Sequence, residues 1–146
     1  MKKYHIFRIS WLYSNYKKNF YTKIRDKILN KKIKKIFVVD DQFGCPMSTE
    51  YISDIIQKNI MNIYYGKIPC GIYHVGLKNC TSWYNFARYI NLKMKIKNKI
   101  FKIKTNSINL KAKRSNYSIL RFSKYKLFVK NKKTWQEIFN HFINKV

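Results

Sequence analysis

The sequence predicts an α/β fold with some parallel strands, and three observations lead to that prediction. Segments with the pattern of strands and of helices alternate along the 146 residues. Residues 36–39 form an apolar run that ends in the polar loop 40–46, as buried strands of such folds do. Apolar residues make up 46% of the chain, which is enough to form a packed core.

The first three predicted elements are a strand, a helix and a second strand. Residues 4–11 have the apolar content of a strand. A helix is predicted over residues 17–29, because Phe20, Ile24 and Ile28 recur at the spacing of one helical face. Residues 33–39 predict the next strand, which leads into the polar loop.

The middle of the chain predicts two helices with a short strand between them. Ser48 is the candidate N-cap of a helix that runs to about Tyr64, and Thr81 is the candidate N-cap of the second helix. The strand covers residues 72–75. The apolar faces are Ile52, Ile55, Ile56, Ile60 and Ile63 on the first helix, and Trp83, Phe86, Ala87 and Ile90 on the second.

The last part of the chain predicts a strand, an irregular segment and a C-terminal helix. Residues 100–103 form the strand, and the irregular segment continues through Tyr117. Thr134 and Glu137 have the spacing of a capping box, in which each side chain satisfies a backbone N–H of the other residue. The side chains predicted to face inward from this helix are Trp135, Ile138, Phe139, Phe142 and Val146.

The formal net charge of +26 raises the question of a nucleic-acid partner. The basic residues are spread along the whole chain, and lysine outnumbers arginine roughly five to one. Arginine is the residue preferred for bidentate recognition of phosphates and bases. We therefore expect contacts with nucleic acid to be nonspecific and salt-sensitive.

Composition also excludes other classes of protein. No apolar run approaches the ~18 residues of a membrane span, and the N-terminus lacks the long apolar segment of a signal peptide. Cys45, Cys70 and Cys80 are odd in number and contain no Cys-x-x-Cys pair. The sequence therefore predicts a cytoplasmic protein with neither a disulfide framework nor a zinc site.

Motifs for cofactor chemistry are missing from the sequence. Its four glycines form neither a dinucleotide fingerprint nor a P-loop. Tyr13 and Lys17 match the Tyr-x-x-x-Lys spacing of a general acid and its activating lysine, but both residue types are so common here that a chance match is expected. We therefore assign no catalytic residue to this chain.

The remaining polar and aromatic candidates are predicted to be mostly structural. His5, His74 and His141 have no carboxylate or cysteine neighbour that would suggest a catalytic or metal site, so no metal ligand is assigned. Asp40 and Asp41 follow a strand, point in opposite directions and are expected to bond loop or cap groups. Trp83 and Trp135 are expected in the core. For Trp11 the sequence leaves open a core position or a ring that meets a sugar or base.

Seven short segments together resemble a known family. In chain order they are FRISWLY (7–13), KNF (18–20), VVDDQFGCP (38–46), GIYHVG (71–76), TSWYNFA (81–87), AKRSNYSIL (112–120) and TWQEIF (134–139). They are similar to the C-terminal half of the dTDP-4-dehydrorhamnose reductases, a family of extended short-chain dehydrogenases. The resemblance implies a Rossmann-type fold of which residues 1–146 form a single region, comprising the last strands of the sheet and the small substrate-binding domain.

The resemblance further implies an activity and a set of ligand contacts. Such proteins use NADPH to reduce the 4-keto group of dTDP-4-dehydro-6-deoxy-L-mannose to dTDP-L-rhamnose, a precursor of cell-surface polysaccharide. In this sequence Trp11 would lie against the sugar, and Arg114 would face the diphosphate. The nucleotide-sugar cleft would be lined by Asn19, Gln42 and Phe43.

The sequence departs from the family on the cofactor side and near Arg114. Ser10 would approach the nicotinamide, but Ile9 stands where the family usually has Thr. Ser115 and Tyr117 replace the family's Pro and Asn, which changes the loop that presents Arg114. The family's catalytic Tyr and Lys, and its dinucleotide-binding domain, precede the segment that matches FRISWLY.

The resemblance therefore implies a chain that supplies substrate contacts but is inactive alone, with a separately encoded N-terminal half as a candidate partner. Strands that pair with such a half would carry open edges and bare apolar faces. Two alternatives stay open. One is a non-catalytic nucleotide-sugar-binding or regulatory module, and the other is a basic nucleic-acid-binding protein.

Overall fold

The computed structural model describes residues 4–109, 112, 114–120, 128–129 and 131–145. Within these residues the chain is a mixed α/β structure. The strands are β1 (His5–Arg8), β2 (Leu12–Tyr13), β3 (Lys35–Val39), β4 (Phe43–Gly44), β5 (Met47–Ser48), β6 (Gly71–His74), β7 (Thr81–Ser82) and β8 (Lys99–Ile103). The helices are α1 (Phe20–Leu29), α2 (Thr49–Tyr64), α3 (Trp83–Lys93), α4 (Trp135–Ile143) and a 3-10 turn (Thr105–Ser107).

The described strands associate in four pairs, of which three are parallel. In β1–β6, His5 lies opposite Gly71, and in β3–β8, Lys35 lies opposite Lys99. The short pair β2–β5 is also parallel, whereas β4–β7 is antiparallel. The predicted fold class, an α/β fold with some parallel strands, is therefore confirmed.

The predicted strands are present, but the first one is shorter than expected. The predicted strand 4–11 ends at Arg8, and Trp11 has a φ of 53°. A left-handed backbone conformation cannot continue a strand, so the chain bends there before β2 begins. The other three predicted strands agree with β3, β6 and β8 to within two residues.

Two predicted helix starts are confirmed by their capping bonds. Ser48 accepts a hydrogen bond from the backbone N–H of Tyr51 and caps α2. Thr134 and Glu137 form the predicted reciprocal capping box at the start of α4. In both cases a side-chain oxygen satisfies an N–H that has no partner inside the helix.

Two other predicted helix starts are wrong. The helix predicted from Lys17 begins only after Asn19, which forms a capping box with Thr22, while Lys17 has a φ of 54° that is incompatible with a helix. The cap of α3 is Ser82 rather than Thr81, because the Ser82 hydroxyl accepts the N–H of Asn85 at 3.2 Å. Thr81 belongs to β7 instead.

The core lies between the helices and the strands and is rich in aromatic rings. The Tyr13 ring centroid lies 5.0 Å from that of Phe142 and 5.4 Å from that of Phe86. The predicted inward residues of α4 are buried, except that Val146 lies outside the described residues. Aromatic contacts of this kind stabilise a core beyond the area that they bury.

One residue of the predicted apolar face of α2 is misplaced. Ile60 is 50% exposed, while its neighbour Asn59 is buried. The Asn59 amide donates to the carbonyl oxygens of Ile55 and Phe128, which satisfies this polar group in the core. Because Asn59 faces inward, Ile60 is turned toward solvent.

Candidate functional site

The loop after β3 holds a hydrogen-bonded group of three side chains. The Asp41 carboxylate accepts from the Thr105 backbone N–H at 2.9 Å and from the Thr105 hydroxyl at 2.6 Å. The buried Gln42 donates from Nε2 to the same hydroxyl at 3.1 Å. The side-chain and backbone hydrogen bonds from Thr105 lower the pKa of Asp41 below its ordinary value. The group fixes the loop against the turn that follows β8.

Asp40 has a different neighbour, as the alternation of a strand predicts. Its carboxylate lies 3.1 Å from Lys104 Nζ, whereas the Asp41 carboxylate bonds Thr105. The two aspartates therefore do not share a site. Among the described residues, no three His, Cys, Asp or Glu side chains come close enough together to hold a metal ion.

Phe43 ties the segment 115–118 to the edge of β4. Its backbone N–H donates to the carbonyl of Asn116 at 2.7 Å, and its carbonyl accepts from the N–H of Ser118 at 2.8 Å. Its ring stacks on Tyr117 with centroids 5.5 Å apart. Ser115 and Tyr117, two of the departures from the family, thus form a turn of which Tyr117 covers Phe43.

Arg114 is exposed and lies beside this turn, where it lines a cleft of about 510 Å³. Asp41 and Thr105 also line this cleft. Gln42 and Phe43 are not among the residues that line it: the buried Gln42 bonds Thr105, and Phe43 bonds the backbone of Asn116. The lining residues are Asp41, Thr105, Asn106, Ile108, Asn109, Ala112, Arg114 and Asn116.

Trp11 lies against the same loop, beside Gly44. Its ring stacks on Trp83 with centroids 3.4 Å apart and planes inclined by 6°. A Cβ atom at Gly44 would lie 2.3 Å from Trp11 Cε2, so the glycine is what gives the indole its space. Trp83 also stacks on Phe20 at 4.0 Å.

Trp83 was predicted in the core, and it does pack against the core, but it is only half-buried. One side of its environment is the stack with Trp11 and Phe20. Trp135, by contrast, is buried as predicted. The helical spacing of Trp83 predicts an inward face but carries no information about a partner that arrives from a distant bend of the chain.

Ser10 and Asn19 differ in how their polar groups are used. Ser10 Oγ is buried and has no hydrogen-bond partner among the described residues. The Asn19 side chain, in contrast, serves the N-terminus of α1, since its oxygen accepts from Thr22 and its amide donates to the carbonyl of Ser14 at 2.9 Å.

Tyr13 and Lys17 are arranged as structural residues. Tyr13 is 2% exposed, and burial, together with the nearby charge of Glu50, raises its pKa far above the ordinary value. Lys17 is exposed in a left-handed turn. His5 donates from Nε2 to the carbonyl oxygen of Ile68 at 3.0 Å, and His141 is exposed.

Comparison with known proteins gives a consistent family match. The profile of the RmlD substrate binding domain matches residues 1–146. Among curated proteins, dTDP-4-dehydrorhamnose reductase of Escherichia coli K12 is 33% identical over 89 residues, which are 60% of this chain and 29% of that protein. The spore coat polysaccharide biosynthesis protein SpsK of Bacillus subtilis is 30% identical over 115 residues, which are 79% of this chain and 38% of that protein.

Two solved structures extend the match to the fold. The NADP complex of dTDP-4-dehydrorhamnose reductase from Bacillus anthracis superposes with a TM-score of 0.88 at 29% identity, over 99% of this chain and 50% of that one. An orthologue from Clostridium acetobutylicum gives 0.83 at 30% identity, over 97% and 48%. The chain thus spans about half of each solved structure. Within the described residues, the helices are too short or too polar to cross a membrane.

Proposed function

Since the chain belongs to the RmlD substrate-binding domain family, we propose that it is the substrate-binding half of a dTDP-4-dehydrorhamnose reductase. In this proposal it holds dTDP-4-dehydro-6-deoxy-L-mannose while NADPH, bound by another half, reduces the 4-keto group. The observation that carries the proposal is the position of the exposed Arg114 in a cleft whose walls are fixed by the loop after β3. In that loop Gln42 bonds the cleft residue Thr105, and Phe43 bonds the backbone of the cleft residue Asn116.

The chemistry of the cleft suits a nucleotide sugar. The exposed Arg114 offers a planar fork of donors to a diphosphate. Tyr117, which is 69% exposed and stacks on Phe43 beside the cleft, offers its outer face to a base or sugar. The Asp41 carboxylate in the wall keeps its negative charge. Its oxygens accept from the Thr105 N–H and hydroxyl, and the nearby charge of Lys104 offsets part of its repulsion of an anionic ligand.

Of the cofactor NADPH, this chain offers a contact only to the nicotinamide, through Ser10. The buried hydroxyl of Ser10 has no partner among the described residues, and a polar group of a ligand would satisfy it. The sequence offers no glycine-rich turn for a pyrophosphate. NADPH supplies the hydride when bound, and this chain's own part is to bind and orient the sugar.

The β1–β6 pair supports packing against a dinucleotide-binding half. Ile6 lies directly opposite Ile72 in the pair. The exposed fraction is 47% for Ile6, 39% for Ile72 and 52% for the nearby Tyr4. Parallel sheets are normally covered on both faces, and two strands alone are rarely stable. A half encoded separately or by another segment would extend this sheet and cover its apolar face.

Binding by the chain is tested by calorimetric titration with dTDP-L-rhamnose. We expect saturable binding that Arg114→Gln weakens about tenfold or more, because a charge-assisted hydrogen bond to phosphate is lost. Arg25→Gln is the matched control, since Arg25 pairs with Asp26 on α1, away from the cleft. Equal binding by both variants would contradict the assignment of the cleft.

Catalysis is tested by co-expression with the dinucleotide-binding half of a relative. We expect NADPH oxidation that depends on the keto-sugar and on both halves. Ile6→Glu should abolish complex formation, because it places a charge in the apolar face, whereas Ile60→Glu on α2 should not. Turnover by the chain alone would contradict the proposal that catalysis requires both halves.

A further inference from the structure

Cys45 and Cys80 stand where the antiparallel pair β4–β7 would continue. Phe43 lies opposite Ser82 and Gly44 opposite Thr81, so the next pair in the register is Cys45 with Cys80. Their sulfur atoms are 2.9 Å apart, and both residues are free thiols. Opposite residues of antiparallel strands have Cα atoms about 4.5–5.5 Å apart, which is within the range that a disulfide spans.

The two thiols differ in access. Cys45 is buried, and burial raises its pKa above the ordinary value for a thiol. Cys80 is half-buried and lines a cleft of about 420 Å³ between α3 and α4, which Arg88 also lines. A small oxidant therefore reaches Cys80 first, and Cys45 is held within contact distance of the product.

We infer that Cys45 and Cys80 form an oxidation site at which hydrogen peroxide joins the two thiols in a disulfide. The Cys80 sulfur attacks one peroxide oxygen, so that an S–O bond forms, the O–O bond breaks and water leaves with the thiol proton. The Cys45 sulfur then attacks the sulfur of the Cys80 sulfenic acid, so that an S–S bond forms and the S–O bond breaks. The hydroxyl leaves with the Cys45 proton as a second water. Two thiols and one peroxide thus give one disulfide and two waters.

The bond would join two parts of the candidate site. Cys45 follows Gln42 and Phe43 on the loop, and Cys80 precedes Trp83 at the start of α3. Oxidation would therefore fix the loop relative to the tryptophan stack. This consequence for ligand binding rests on the proposed function, whereas formation of the bond does not.

The experiment treats a Cys70→Ser chain with hydrogen peroxide, because Cys70 is exposed and would otherwise form links between molecules. We expect both remaining thiols to disappear together from a thiol count, the intact mass to fall by two hydrogens, and dithiothreitol to reverse both changes. The oxidised monomer should melt more than about 5 °C above the reduced one, since a crosslink restricts the unfolded chain.

The matched control is Cys70→Ser with Cys80→Ser, in which we expect the buried Cys45 thiol to survive the same peroxide treatment. The inference is overturned if the folded Cys70→Ser chain keeps both thiols, adds oxygen without losing the Cys45 thiol, or forms disulfide-linked dimers. Ligand binding is measured separately on the reduced chain, so a chain that fails to bind dTDP-L-rhamnose but forms the disulfide refutes only the proposed function.

Discussion

Trp11 occupies a backbone conformation that a bulky residue adopts only with support. Its φ of 53° costs roughly 1–2 kcal/mol relative to an ordinary conformation. The stack on Trp83 contributes about 0.5–1.5 kcal/mol beyond the area that it buries, which is of the size needed to offset that cost. The ring orientation is therefore set by Trp83 and Gly44 together.

Substitution of Gly44 by Ala tests this arrangement. The new Cβ would stand 2.3 Å from the Trp11 indole, so the ring must move and the stack must open. We expect a loss of about 1–3 kcal/mol in the free energy of unfolding and a clear change in near-UV circular dichroism.

Gly66→Ala is the control for the glycine itself. Gly66 has a φ of 70° and open space around it. In Gly66→Ala, therefore, only the strained backbone conformation lowers the free energy of unfolding, and the near-UV spectrum should stay unchanged. An unchanged spectrum in Gly44→Ala would show that the stack does not depend on the glycine.

The Asp41–Thr105 contact predicts a dependence of stability on pH. Its hydrogen bonds lower the folded-state pKa of Asp41 below the unfolded value of about 3.9. The contact therefore stabilises the fold above that value, and the contribution is lost as the pH falls through the folded-state pKa.

Thr105→Val should accordingly be less stable than the parent at pH 7, and the difference should shrink below about pH 4. Thr105→Ser keeps the hydroxyl and should behave as the parent. Urea unfolding at several pH values measures the difference. If the Asp41 pKa from carbon NMR is the same in the valine and serine variants, the hydroxyl is not its cause.

At the level of elements, local signals were sufficient where a single residue decides the boundary. Ser48 and the Thr134–Glu137 box were identified from sequence because they precede clear apolar stripes. The start of α3 differs from the prediction, because adjacent Thr81 and Ser82 are both capping residue types and only the backbone of β7 decides between them. The start of α1 differs because Lys17 has a left-handed backbone conformation, so the helix begins after Asn19.

Ser82→Ala should lower the free energy of unfolding by about 1 kcal/mol, since the Asn85 N–H then loses its partner. Thr81→Val, which removes the hydroxyl that the sequence favoured as the cap, should cost less. Urea denaturation followed by far-UV circular dichroism compares the two. A larger loss in Thr81→Val would restore Thr81 as the cap.

The candidate site was predictable only in part. Gln42, Phe43 and Arg114 were identified through motifs. Of these, Arg114 lines the cleft, whereas Gln42 and Phe43 are linked to it through bonds to Thr105 and to the Asn116 backbone. Thr105 and Trp83 were missed as site residues, because both contact residues that are distant in sequence. Thr105 bonds Gln42, which is 63 residues away, and Trp83 stacks on Trp11. Sequence periodicity reports the face of an element and not its distant neighbour.

At the level of the whole molecule, charge repulsion is the dominant long-range interaction. The chain has 32 basic residues against 6 acidic ones, so most cations have no carboxylate to pair with. A net charge far from zero opposes the compact state. It also favours weak binding to any polyanion.

Added salt should therefore stabilise this protein. Between about 0.01 M and 0.15 M NaCl the Debye length falls from about 30 Å to about 8 Å, which screens most of the repulsion. We expect the urea midpoint to rise over this range while binding to random-sequence DNA weakens steeply. A midpoint that falls with salt would mean that attractive ion pairs outweigh the repulsion.

The parallel pairing of β1 with β6 also governs how the chain acquires its structure. His5 meets Gly71, and Lys35 meets Lys99, so long loops must close before either pair can form. Proteins with such non-local contacts fold slowly, in milliseconds to seconds. At a synthesis rate of about 5–20 residues per second, β1 waits several seconds on the ribosome for β6 to emerge. During that interval its apolar face is available to chaperones and to other nascent chains.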